Sequence, residues 1–140
     1  AYRKEISRNL LLALLYEAYG MFSQHRLPES RKTRQEELFA DFIKLVQLNF
    51  RREHFVSFYA DKLCITSKYL SLLVKSVSGR SASVWIDEYV ILEAKALLTS
   101  SKLTIKQISD TLGFVSQSFF GKFFRRHVGV SPRKFRGVAC

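Results

Sequence analysis

Lys122, Arg125, Arg126, Arg133, Lys134 and Arg136 fall within the last 30 residues of the chain, and no Asp or Glu follows Asp110. Cations without counter-charges suit a polyanion, because each phosphate they neutralise releases condensed counterions. The same 30 residues hold six phenylalanines: Phe114, Phe119, Phe120, Phe123, Phe124 and Phe135. A disordered basic tail would not carry them, so the stretch reads as a folded element with one positive face. Two short series offer a second chemistry: Ser67, Lys68, Ser71 and Leu72, then Gln117, Ser118 and Lys122. On a helix in a major groove, Gln can bond adenine twice, Lys can reach guanine O6 and N7, and Ser can donate or accept. Leu72 can meet a thymine methyl, and the second series, richer in long polar side chains, is expected to carry more of the base discrimination. Lys75, Arg125, Arg126, Arg133, Lys134 and Arg136 are the expected phosphate ligands, which fix register without reporting sequence. The helix N-termini at Thr66 and Ser116 would add backbone amides to them.

Other chemistries find little support. His25, His54 and His127 lie far apart in the chain, and neither a Gly-rich phosphate loop nor a nucleophile motif is present. Cys64 and Cys140 are the two cysteines, which suggests no disulfide framework and no zinc site. No enzyme activity, metal or cofactor is therefore expected, and the reducing cytoplasm fits best. The chain is 140 residues long, 47% apolar and 25% charged, with 23 Lys and Arg against 12 Asp and Glu, net +11. That composition can build a core while keeping a positive surface. No run of apolar residues is long enough for a membrane span. Arg3, Lys4 and Arg8 before LLLALL resemble a signal peptide, but Glu17 interrupts the run and no small-residue cleavage site follows.

The elements that must position these groups are helices, because apolar residues recur at helical spacing and strict alternation never persists. The expected fold is all-α. Residues 5–24 predict an extra N-terminal helix, with Leu11, Leu14, Leu15, Ala18 and Phe22 on one stripe. Residues 26–34 are polar, contain Pro28, and read as a linker. Thr33-x-x-Glu36 is a capping box opening a helix whose expected buried stripe is Phe39, Ile43, Val46 and Phe50.

The rest contains an internal repeat. Adding 50 places Thr66 on Ser116, Leu70 on Phe120, Val74 on Phe124, Gly79 on Gly129, Ser81 on Ser131 and Trp85 on Phe135. Upstream the offset is 49, placing Asp61, Leu63 and Ile65 on Asp110, Leu112 and Phe114. Caps and glycines recurring in register carry more weight than apolar matches, which arise easily between helices. Each copy reads as a short helix, a tight turn and a longer helix, a helix-turn-helix unit, over about 57–79 and 104–129. Thr104-x-x-Gln107 is a further capping box, and Gly113 marks a turn needing positive φ. A long connector helix over 81–98, apolar around most of its girth, joins the copies, and a last helix covers 131–138. The connector would be about 25 Å long, compatible with two units set roughly one DNA turn apart. Leu70, Leu73, Val74 and Val77, and Phe120, Phe123, Phe124 and His127, are expected to pack inward.

From residue 35 to the end the chain resembles the AraC/XylS family of bacterial transcription regulators. The likeness is most specific over 105–136, at Leu112-Gly113-Phe114, Ser116, Phe119-Phe120, Phe124, Gly129, Ser131-Pro132 and Phe135-Arg136. The resemblance implies a bipartite, seven-helix domain binding double-stranded DNA and controlling nearby promoters, usually as an activator in contact with RNA polymerase. It also implies an N-terminal sensing and dimerisation domain, of which residues 1–25 resemble the final helix, so that homodimerisation would use that missing part. Two positions depart from the family. Cys64 stands where the first turn often has glycine or alanine, and Val90 where the connector helix usually has arginine. A competing expectation from charge and helicity alone is a basic helical protein-interaction module, which leaves the paired capped turns unexplained.

Overall fold

The computed structural model describes residues 8–14 and 33–139. Residues 8–14 are helical, and Leu10, Leu11, Leu12 and Leu14 are exposed. The remainder of the helix expected over 5–24, and the linker up to residue 32, lie outside the described residues. Residues 33–138 form a separate unit. In it follow α1 (Arg34–Asn49), α2 (Val56–Lys62), α3 (Ser67–Ser78), α4 (Ala82–Ser100), α5 (Ile105–Thr111), α6 (Gln117–Val128) and α7 (Pro132–Ala139). Among the described residues there is no strand, as the helical periodicity predicts.

Side-chain caps set most helix starts. Glu36 N donates to Thr33 Oγ1 at 3.2 Å, and Thr104 and Gln107 complete a reciprocal capping box. Two cores result. The first gathers Leu38, Phe42 and Val46 of α1, Tyr59 and Ala60 of α2, Leu70, Leu73 and Val74 of α3, and Ala82 and Ile86 of α4. The second gathers Val90, Ala94 and Leu98 of α4 with Ile108, Leu112, Phe120 and Phe124. The stripe of α1 therefore runs through Leu38, Phe42 and Val46, while Phe39, Ile43 and Phe50 flank it, partly buried. The apolar sector of α1 is wide, and four-residue spacing selects its centre.

Helix α4 serves both cores by a geometrical device. Its buried residues, Ala82, Ile86, Val90, Ala94 and Leu98, recur every fourth position. At about 100° per residue each step gains about 40°, so Leu98 points roughly 160° around the axis from Ala82. One straight element thus offers one side to the first unit and nearly the opposite side to the second. Trp85, Tyr89 and Leu97 are partly buried beside this stripe, but Leu92 is exposed, so the apolar girth of the connector is not buried throughout.

The loop joining α1 to α2 closes the seam between the units. Phe50 packs against both cores, its ring 5.8 Å from that of Tyr89. His54 lies 4.8 Å, centroid to centroid, from Phe114 in the second turn, and Arg51 pairs with Glu93 of α4. A Cβ placed on Gly113 would meet the Arg51 carbonyl oxygen at 2.5 Å, so this turn has no room for a side chain.

Candidate nucleic-acid interface

The two turns are built by the same hydrogen bonds, 49 residues apart. Cys64 N donates to Asp61 O and Ile65 N to Ala60 O, while Gly113 N donates to Asp110 O and Phe114 N to Ser109 O, all at 3.0–3.1 Å. Both turn residues are left-handed, Cys64 with φ 58° and Gly113 with φ 77°. For a cysteine this backbone is strained by about 1–2 kcal/mol. The first turn tolerates it because Cys64 is exposed, whereas Gly113 is pressed against Arg51.

Beyond each turn, at offset 50, the longer helix is capped and stopped alike. Thr66 Oγ1 accepts from Tyr69 N at 3.1 Å, and Ser116 Oγ accepts from Phe119 N at 3.2 Å. Gly79 and Gly129, with φ 82° and 95°, each donate to the carbonyl four residues back at 2.8 Å. Helix geometry leaves the first amides of α3 and α6, those of Ser67, Lys68, Gln117 and Ser118, without intrahelical partners. Those N-termini are suited to an anion.

Packing separates the faces of these helices. Leu70, Leu73 and Val74 of α3 and Phe120 and Phe124 of α6 are buried. Val77 and His127, expected inside, sit at the rim; His127 Nε2 lies 3.4 Å from Asp87 Oδ2 and its ring rests 4.5 Å from Phe123. Of the expected base-reading residues, Ser67, Lys68, Leu72, Gln117, Ser118 and Lys122 are exposed and Ser71 is half-buried. Lys75, Arg125, Arg126, Arg133 and Lys134 are exposed and form no ion pair with a described carboxylate. The guanidinium of Arg126 also lies over the Phe123 ring, 5.9 Å from its centroid.

Arg136 is the correction. Its Nε donates to Leu98 O at 2.9 Å, and its terminal nitrogen to Leu97 O at 3.4 Å and Ser101 O at 3.5 Å. Leu97 O already accepts from Ser101 N at 3.2 Å, but Leu98 O and the Ser101 carbonyl just beyond α4 have no backbone donor, and a cation there also meets the negative end of the helix dipole. Arg136 thus binds its own chain instead of a phosphate. The sequence places it in the same basic run as Arg133 and Lys134, and nothing in that run announces a partner 38 residues away.

The seam between the units holds titratable groups. Burial is the main cause that lowers the His54 imidazole pKa from 6.5, against opposing contributions from Leu112, Asp87, Glu53 and Phe50. Burial likewise raises the Asp87 carboxyl, opposed by His127, Arg126 and His54. His54 Nε2 is buried without a hydrogen-bond partner among the described residues.

Three exposed apolar residues were not assigned to base reading by sequence: Tyr69 of α3, Phe119 of α6, and Val115 in the turn before α6. The repeat itself, which sets Tyr69 on Phe119, carries the signal that could have found them.

A helix-turn-helix domain family model matches residues 59–137. The arabinose operon regulatory protein of Salmonella typhimurium is 26% identical over 136 residues, covering 96% of this chain and 47% of that protein. The virulence regulon transcriptional activator VirF of Yersinia enterocolitica is 30% identical over 127 residues, 91% of this chain and 45% of that protein. The chain therefore spans about half the length of these relatives. The DNA-binding domain of AdpA, a global transcriptional factor solved with a target DNA, shares the fold with a TM-score of 0.64 at 21% identity, over 71% of this chain and 90% of that one.

Proposed function

Because the chain belongs to the AraC/XylS family of helix-turn-helix transcription regulators, we propose that it binds duplex DNA sequence-specifically by inserting α3 and α6 into successive major-groove segments. The observation that carries the proposal is the duplicated capped turn, which twice leaves a polar helix face exposed beside cations without carboxylate partners. In this reading Ser67, Lys68, Ser71, Leu72, Gln117, Ser118 and Lys122 meet base edges, and Lys75, Arg125, Arg126, Arg133 and Lys134 hold phosphates with the helix N-termini at Thr66 and Ser116. Leu72 and Lys122 occupy the same place in the two copies, so the first helix would favour an apolar thymine edge and the second an acceptor edge. Activation of transcription, contact with RNA polymerase and homodimerisation through an N-terminal part belong to the same proposal; VirF, named an activator, supports the first.

A footprint on selected duplex DNA tests it. Two protected segments about one helical turn apart are expected. With five side chains on phosphates, log K should fall with log salt at a slope of about −4.5. Binding that ignores sequence would instead favour a basic module meeting acidic partners by charge alone.

A further inference from the structure

We propose that Phe119 recognises thymine through its C5-methyl group, a specificity contact that rests on the DNA-binding reading above. Phe119 is 63% exposed and Val115 91% exposed, although the neighbouring Phe120 and Phe124 are fully buried. On α6, Lys122 and Arg126 follow Phe119 at three and seven residues and so continue its ridge. An exposed ring thus lies in line with two exposed cations on the side of α6 turned away from the core. The ring cannot be explained as packing, since the core of the second unit is closed without it.

The first unit repeats the exposed ring, though not the cation after it. Tyr69 and Leu72, at the positions of Phe119 and Lys122, are 42% and 60% exposed. Large apolar groups left in water at matching places in both copies imply a partner that covers them. In a major groove the apolar group on a base edge is the thymine methyl. A phenyl ring neither donates nor accepts conventional hydrogen bonds. Against cytosine N4 or guanine O6 it would leave a polar group dehydrated and unpaired, so it discriminates by rejection as well as by contact. Its place in the first turn of α6 is where recognition helices of this type meet base edges. Deoxyribose is the other apolar surface of DNA, and the test separates the two.

The full chain is used to select a duplex from a random-sequence pool, and each thymidine of that duplex is replaced in turn by deoxyuridine, which lacks only the methyl. At one or two positions under α6, the replacement should weaken wild type about fourfold, the effect of one methyl-sized apolar group. Phe119→Ala should bind thymidine and deoxyuridine equally there, Phe119→Leu should keep part of the difference, and Lys122→Ala should keep all of it. A melting curve like that of wild type shows that Phe119→Ala is folded. If deoxyuridine weakens Phe119→Ala as much as wild type, or weakens neither at any position, the ring does not read thymine and the proposal fails. A pool that yields no preferred sequence removes base reading by the chain altogether, which is the failure of the underlying reading.

Discussion

Replacing Gly113 by alanine separates two demands that meet at one residue. Gly113, Gly79 and Gly129 share a left-handed backbone, but only Gly113 faces another part of the chain, whereas a Cβ on Gly79 or Gly129 meets nothing within 4 Å. Gly79→Ala and Gly129→Ala therefore report the backbone term alone, about 1–2 kcal/mol. Gly113→Ala adds a Cβ at 2.5 Å from the Arg51 oxygen and 3.3 Å from the Arg52 Cα, both backbone atoms that no rotamer change can move. The loop would have to shift, and it is held by Phe50 in both cores, by His54 against Phe114 and by the Arg51–Glu93 pair. Overpacking of this kind costs about 1–3 kcal/mol, so Gly113→Ala should lose about 2–5 kcal/mol in all. The mirror change, Cys64→Gly, relieves a strained turn with no such neighbour and should gain about 0.5–1 kcal/mol after the added chain entropy. Equilibrium urea unfolding of the four variants without DNA measures the series. A loss for Gly113→Ala within about 0.5 kcal/mol of that for Gly129→Ala, a difference ordinary for distant sites, would refute the claim that the loop demands the glycine.

Arg136→Met should lower stability by about 1–3 kcal/mol by orphaning the Leu98 carbonyl at the end of α4, while the salt slope of DNA binding stays the same. Arg133→Ala should do the reverse, leaving the melting curve unchanged and flattening that slope by about 0.9; a flatter slope for Arg136→Met would return it to the phosphate ligands. Lys122→Ala should weaken binding to the selected duplex by about 1–3 kcal/mol and relax preference at one or two base pairs, read by competition with single-base variants. Below pH 6.5 the unfolded chain takes up a proton at His54 that the buried imidazole refuses, so acidification from 6.5 to its lower folded value should destabilise the protein, the contribution being whole above 6.5. Asp87, shifted upward, acts with the opposite sign, since its folded form takes a proton first and gains stability as pH falls towards 3.8. Urea midpoints for wild type and His54→Leu between pH 5.5 and 7.5 check this, and equal slopes would remove His54 as the cause.

The parts of the fold legible in the sequence are those with local causes. Thr66 and Ser116, Gly79 and Gly129, and Thr104 with Gln107 each act within a few residues, and each does in the structure what its type and spacing indicate. The buried positions of α3 and α6 follow from period alone except at the rim, where Val77 and His127 come at the end of a face that the core no longer reaches. Illegible were the contacts that depend on how units meet. Arg136 differs from Arg133 only in facing the end of α4, and Gly113 from Gly129 only in facing Arg51. Phe119 is hidden for the opposite reason: it stands in a row of phenylalanines, and composition cannot say which ring the core has no place for. Exposure is a property of the assembled unit, and only the fifty-residue echo with Tyr69 marks the position in advance.

Two duplicated units could have been joined by a flexible segment, and the structure shows why they are not. The buried stripe of α4 drifts around its axis just far enough that the first core is complete at Ile86 when the second begins at Val90. No residue of that helix between the cores is left as a hinge. The loop from α1 to α2 then crosses the seam, and Phe50, shared by both cores, couples their stability. Arg136 ties the last helix back to the end of α4, so the second unit is fastened at both its beginning and its end. If α3 and α6 do enter successive grooves, their separation is set before DNA is met. Little ordering entropy then remains to be lost on binding, and specificity can rest on the few side chains that the faces expose.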